Sequence, residues 1–189
     1  MIQKLSNWLV KNAKGWLVLL MMGLFFLFNL VIMPNGQKWL GGTTDEVGAI
    51  DLTFGASPAT LFEKVAAYGE QGRAAYRIFA LTGDVGYPIV YSIFLGLAIT
   101  WFFRRAFPTG SWIQCLNLVP FAALIFDILE NLGIVGLLST YPQQLAWLAY
   151  LTIILNIVKW IFAGGSVVLL FIGMVGLLFA KLKFAKLKK

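Results

Sequence analysis

The chain has 189 residues, of which 60% are apolar and 12% charged, and a formal net charge of +7. Its mean hydropathy of +0.83 lies far outside the soluble range, so lipid is the expected solvent. The single Cys115 excludes an internal disulfide and a C-x-x-C redox pair, and so a four-span, quinone-coupled disulfide oxidoreductase; the lack of histidine removes imidazole metal or haem ligation and His-activated nucleophiles.

The basic residues are distributed for a membrane surface rather than for nucleic acid. Lys4, Lys11 and Lys14 precede the first apolar run, Arg104 and Arg105 follow the second, and Lys181, Lys183, Lys186, Lys188 and Lys189 follow the fourth, all without an acid among them. By the positive-inside rule these three segments are cytoplasmic, which places both termini there, most simply in a bacterial cytoplasmic membrane. Anionic headgroups at that face are the expected partners, and no nucleic acid is expected.

Residues 1–14 read as an interfacial amphipathic helix, with Ile2, Leu5, Trp8 and Leu9 on one face and Lys4, Asn7, Lys11 and Lys14 on another. The first span is 16–33, an uncleaved anchor: the apolar run is too long for a signal peptide and Pro34-Asn35-Gly36-Gln37 offers no cleavage site. Residues 34–83 form an extracytoplasmic cap loop. Its glycine-rich stretch 35–56 reads as irregular, Ser57-Pro58 opens a helix that lasts to Gly69, and a second helix covers 71–81 before Thr82-Gly83.

The second span is 85–103, with Pro88 in its first turn. The third is 112–138, where Pro120 predicts a kink, and Tyr141-Pro142-Gln143-Gln144 makes the turn to the fourth, 146–180. In that span Gly164, Gly165, Gly173 and Gly176 predict close helix approach. Trp16, Trp101, Trp112 and Trp147 stand near span ends as interface anchors, and 181–189 is a basic tail. The fold class is therefore all-α, a four-helix transmembrane bundle with a helical extracytoplasmic cap between spans one and two.

About 20 helical residues cross a hydrocarbon core, so depth can be counted from the cytoplasmic ends. Counting back from Lys181 puts Asn156 and Lys159 just beyond the outer boundary. Counting forward from Trp112 puts Glu130 and Asn131 at that boundary and Asp127 a turn inside it. Asp84 begins span two on the same side, and Asn29 lies a turn below the outer end of span one. All four spans thus contribute to one polar layer.

Asp127, Glu130 and Asn131 share a helix face, as do Asn156 and Lys159, and as do Arg73, Tyr76 and Arg77 just before Asp84. Ionisable groups in an apolar span need a partner or a function. Structurally, three acids (Asp84, Asp127, Glu130) and three bases (Arg73, Arg77, Lys159) make ion pairs that pin the cap loop to the spans. Chemically, Asp127 is a proton donor and Glu130 a base or charge stabiliser, with Tyr91 and Tyr150 as hydrogen-bond donors. An oxygen-only Mg²⁺ or Ca²⁺ site from the three acids meets competition from the adjacent cations, so neither metal nor cofactor is expected.

The set Gly69-x-x-Gly72-Arg73-x-x-Tyr76, Asp84 with Pro88 and Tyr91, Asp127-x-x-Glu130-Asn131 and Tyr141-Pro142 resembles a family of small four-span bacterial integral membrane proteins, over roughly residues 50–165. That resemblance implies the topology and carries no established activity or catalytic residue. A weaker similarity, to the small helical bundles of the sterol-isomerase and sigma-2-receptor type, implies lipid-like ligands, although span order and the missing histidine differ. Three functions follow as expectations: binding of a lipid, an amphipathic molecule or a membrane partner in an outer-leaflet polar pocket; a membrane enzyme using Asp127 and Glu130 on a lipid-soluble substrate; or a proton- or ion-coupled transporter, which four spans could build only as a homo-oligomer.

Overall fold

A computed structural model describes residues 2–39, 47–108 and 111–187. The readings made for 40–46, with Gly41 and Gly42, and for Lys188 and Lys189 fall outside them. The described residues are helical, with no strand among them. Helix α1 is Ile2–Asn12, α2 Gly15–Leu27, α3 Met33–Trp39, α4 Pro58–Ala67, α5 Gly69–Leu81, α6 Gly83–Ala106, α7 Val119–Thr140 and α8 Ala146–Leu187; a π-helical segment, Phe28–Ile32, joins α2 to α3, and a 3₁₀ segment, Trp112–Leu118, precedes α7. Four helical runs, Gly15–Gly36, Gly69–Ala106, Trp112–Thr140 and Ala146–Lys183, are long and apolar enough to cross a membrane. The first has no buried residue in its most apolar stretch, which in water would be prohibitive and in lipid is ordinary.

The chain divides into two compact units. One comprises Met1–Phe25, Val90–Ala123 and Ile161–Lys189. Here α1 and the two residues after it bury Ser6, Leu9 and Ala13, with Leu9 packed on Leu97, and leave Lys4, Lys11 and Lys14 exposed. Trp8, assigned by periodicity to the apolar face, is exposed instead. A neutral hydrogen-bonded chain runs through this unit: Ser6 Oγ donates to Asn117 Oδ1 at 3.2 Å, Asn117 Nδ2 to Thr100 Oγ1 at 3.0 Å, and Thr100 Oγ1 to the Gly96 carbonyl at 2.7 Å. Gly96 has no room for a Cβ because Phe121 and the Asn117 carbonyl lie against it.

Arg104 ties down α1 by donating to the Val10 carbonyl at 2.7 Å, and Arg105 stacks on Trp101. The irregularity expected at Pro120 lies one turn earlier, as the 3₁₀ segment capped by Ser111; Pro120 is the second residue of α7, where a missing N–H is harmless. Of the four span-four glycines, Gly173 meets Phe102 and Phe103 and Gly176 meets Ala106 and Phe107. Among the described residues nothing packs on Gly164 or Gly165.

The other unit comprises Phe26–Ile89 and Leu124–Trp160. Helix continues here past the apolar run, through the π segment to Trp39, where glycine content had predicted loop from residue 35. Asn29, in the π segment, accepts from Tyr87 Oη at 3.2 Å. Ser57 Oγ accepts from Thr60 N at 3.2 Å with Pro58 at N1, so α4 starts as its sequence predicts, and it ends at Ala67, two residues before Gly69, whose φ is +64°. Gly36 and Gly83 both flank the Phe79 ring with no space for a Cβ. The core joins Ile50, Leu61, Val65, Tyr76, Ile134 and Leu138. Gly133 against Thr152 and Gly136 against Leu148 let α7 and α8 approach closely.

Candidate functional site

The polar groups of this second unit come from its helices and one loop. On α7, Glu130 is fully buried and Asp127 and Asn131 nearly so; on α8, Asn156 and Lys159 are buried one turn apart. Lys159 Nζ lies 2.5 Å from Glu130 Oε2 and 3.9 Å from Asp127 Oδ1, while Glu130 Oε1 accepts from Asn156 Nδ2 at 2.8 Å. One lysine thus faces both carboxylates that the i, i+3 spacing puts on one face.

Asp84 is buried at the start of α6. Because that helix begins at Gly83, Pro88 sits in its interior rather than its first turn, and the absent Pro88 N–H leaves the Asp84 carbonyl without its i+4 donor. Asn131 Nδ2 fills the gap at 3.1 Å. The Asn131 amide is thereby anchored at Asp84, and its Oδ1 is left with no partner among the described residues.

Asp51 joins the group, and sequence reasoning passed it over. Tyr76 Oη donates to Asp51 Oδ1 at 2.9 Å and accepts from Ile50 N at 3.0 Å. The Asp51 carbonyl accepts from Asn156 Nδ2 at 2.7 Å and Trp160 Nε1 at 3.4 Å. Farther along the same loop, Lys64 Nζ donates to the Val47 and Gly48 carbonyls at 2.6 and 3.2 Å, and Tyr68 Oη donates to Gly48 O at 2.7 Å. Burial, with Asp51 nearby, pushes the Tyr68 phenol well above its usual range, so it stays a donor. Side chains on α4, α5 and α8 therefore clamp the backbone of 47–51. An acid between Ile50 and Leu52 was the sole sequence sign, and a weak one.

The two arginines take other roles. Arg73 donates to the Val65 carbonyl at 3.2 Å and lies 4.0 Å from the Tyr141 ring centre, and neither Arg73 nor Arg77 enters the ion pairs at Lys159. The expected balance of three acids and three bases is thus replaced by one lysine among several carboxylates. Tyr91 is buried in the other unit, and Tyr150 points outward, 58% exposed. Among the described residues no three acidic side chains are arranged to hold a metal ion.

Beside the ion pair a shallow cleft opens between the 50–56 loop and α8, lined by Ile50, Thr53, Ala56, Thr152, Ile153 and Asn156. It has room for about one water molecule. Thr53 and Thr152 donate to Ala49 O and Leu148 O within their own segments. Phe54, its ring tilted against Trp160, stands exposed nearby, as do Leu52, Ile154 and Ile157. Compared with family models, curated proteins and solved structures, the chain has no match.

Proposed function

We propose that this chain is a four-span protein of a bacterial cytoplasmic membrane that binds the acyl portion of a lipid or similar amphipathic molecule at the cleft beside the Glu130–Lys159 pair. In this reading the four apolar runs form a transmembrane bundle, both termini are cytoplasmic and residues 34–83 cap its outer side. It is a member of a group of small four-span proteins sharing Asp-x-x-Glu-Asn. The exposed Lys4 and Lys11 of α1, and Lys14 just after it, meet anionic headgroups at the inner face.

One observation supports the binding reading above the others. Glu130, Asn156 and Lys159 are committed to one another, whereas the adjoining cleft is open and bordered by the exposed Phe54, Leu52 and Ile157, a surface suited to hydrocarbon. For an enzyme using Asp127 and Glu130, a substrate would have to displace Lys159 from between them, at the cost of exposing two buried carboxylates.

Native mass spectrometry after mild detergent extraction tests the proposal. The wild-type chain should retain a lipid, and Ala56→Trp, which fills the cleft, should lose it while keeping its helical circular dichroism. A wild type without lipid, or a variant with unchanged occupancy, contradicts it.

A further inference from the structure

The first unit has cations and no anions. All eight acidic residues of the chain fall in the other unit, whereas this one holds Lys4, Lys11, Lys14, Arg104, Arg105 and the lysines of the tail. Four of these cations gather at one place. Arg104 Nη1 donates to the carbonyl of Val10, next to Lys11 in the chain, at 2.7 Å. The Trp101 Nε1 lies 3.5 Å from where a Cβ on Gly15 would stand, next to Lys14. Arg105, one turn past Trp101, has its Cζ 3.9 Å from the centre of that ring and donates by Nη1 to the Trp101 carbonyl at 2.7 Å. The end of α1, the start of α2 and the end of α6 thus meet around Trp101, and Lys11, Lys14, Arg104 and Arg105 are all exposed there.

The two guanidinium groups are already held in place. Each uses one Nη1 on a backbone carbonyl, and their other N–H groups meet no acceptor among the described residues. Donors fixed in this way receive a planar or tetrahedral oxyanion at a smaller entropic cost than mobile lysines alone would. Apolar surface continues from the same point. Trp16, Leu19, Leu20 and Leu24 of α2 are exposed, and the most apolar stretch of that span has no buried residue.

We infer that the junction of α1, α2 and α6 is a binding site for one anionic phospholipid, with the phosphate against Arg104, Arg105, Lys11 and Lys14 and the acyl chains on the exposed face of α2. The one-sided charge makes the site selective. A zwitterionic lipid brings an ammonium that would sit among four cations with no carboxylate in the unit to receive it, whereas the glycerol headgroup of phosphatidylglycerol brings none. The inference rests on the membrane-spanning reading above, with this junction at the inner face. It does not rest on lipid binding at the cleft, whose lining belongs to the other unit.

Native mass spectrometry of the delipidated protein, titrated with phosphatidylglycerol or with phosphatidylethanolamine of the same acyl chains, tests the site. The first phosphatidylglycerol should bind about tenfold more tightly than phosphatidylethanolamine. Arg105→Lys keeps the charge and loses the stacked fork, and should weaken that binding about tenfold, the worth of one charge-assisted hydrogen bond, with helical circular dichroism unchanged. Lys183→Gln removes a charge from the exposed end of α8 and should stay within about twofold of wild type, since a distant exposed charge is screened. Ala56→Trp, at the cleft, should match wild type. No bound lipid of either kind, equal affinity for the two lipids, unchanged binding in Arg105→Lys or an equal loss in Lys183→Gln overturns the site. Loss of binding in Ala56→Trp would move the lipid to the cleft and overturns it too, and glycerol phosphate bound as tightly as the lipid would overturn the role given to α2. The comparison of the two lipids needs no variant, so it decides even where a substitution unfolds the chain. The membrane topology is read separately, from the side on which Cys115 is labelled.

Discussion

Replacing Lys159 by methionine keeps the volume and the apolar stem but removes the cation that faces Glu130 and Asp127. All three groups are almost excluded from solvent, with side-chain exposures of 6% for Lys159, 8% for Asp127 and 1% for Glu130. Breaking a buried pair by deleting one partner costs about 3–5 kcal/mol, because the remaining charge is neither solvated nor paired. An exposed pair is worth about 0–1 kcal/mol. Against a total stability of about 5–15 kcal/mol, the loss would lower the folded-to-unfolded ratio by roughly two to three and a half powers of ten. Glu130→Gln should cost less, since Lys159 keeps Asp127 and the carbonyl of the substituted amide still accepts from Asn156. In Lys159→Met combined with Glu130→Gln, much of the Lys159 penalty should vanish, a coupling of about 0.5–3 kcal/mol. Denaturant unfolding in detergent micelles, followed by tryptophan fluorescence, measures all three. A Lys159→Met loss below about 1 kcal/mol, the range of a solvated pair, would show that the pair is not closed and buried.

Three further outcomes follow from individual contacts. Asn131→Ala should cost about 1–3 kcal/mol by stranding the Asp84 carbonyl, and much less when combined with Pro88→Ala, whose restored N–H can take over; equal costs in both backgrounds would refute the link between the two residues. Tyr76→Phe removes the hydroxyl bridging Ile50 N and Asp51 and should speed hydrogen exchange of 47–56 by about one to two powers of ten, with the rest of the chain unchanged; uniform acceleration would point to global destabilisation instead. Gly133→Ala drives a methyl into the Thr152 hydroxyl at the contact of α7 with α8 and should cost about 1–3 kcal/mol, partly recovered by Thr152→Ala, whereas Gly164→Ala, with none of the described residues packed on it, should be tolerated. Similar effects at the two glycines would contradict the packing.

The parts of the chain that were legible in sequence are those governed by local rules. Apolar runs separated by basic and turn residues revealed the four long helices, Ser57-Pro58 marked the start of α4, and the i, i+3 spacings put Asp127 with Glu130 and Asn156 with Lys159 on common faces. Hydropathy marks where a helix leaves apolar surroundings rather than where its hydrogen bonds end, so α2 was expected to stop at Pro34, whereas helix continues through Pro34 to Trp39. The role of Pro88 was hidden because it depends on one residue: with the helix starting at Gly83, the freed carbonyl is that of Asp84, and Asn131 acquires a reason to be there. Asp51 was invisible because its partners lie 25 residues away at Tyr76 and 105 away at Asn156, and no periodicity connects a loop to them. The arginines misled for the reverse reason: Arg73 lies in the expected stretch of sequence but spends its donors on a carbonyl and a ring.

Labelling with a membrane-impermeant maleimide tests the proposed topology and the placement of the polar layer together. Cys115 is the chain's sole cysteine and is exposed. It should react in inside-out vesicles and stay unmodified in intact cells. With Cys115→Ser as background, Thr53→Cys on the 47–56 loop should show the opposite pattern. Labelling of both positions from the same side would contradict a membrane-spanning arrangement in which the Asp84–Glu130–Lys159 layer lies beneath an external loop.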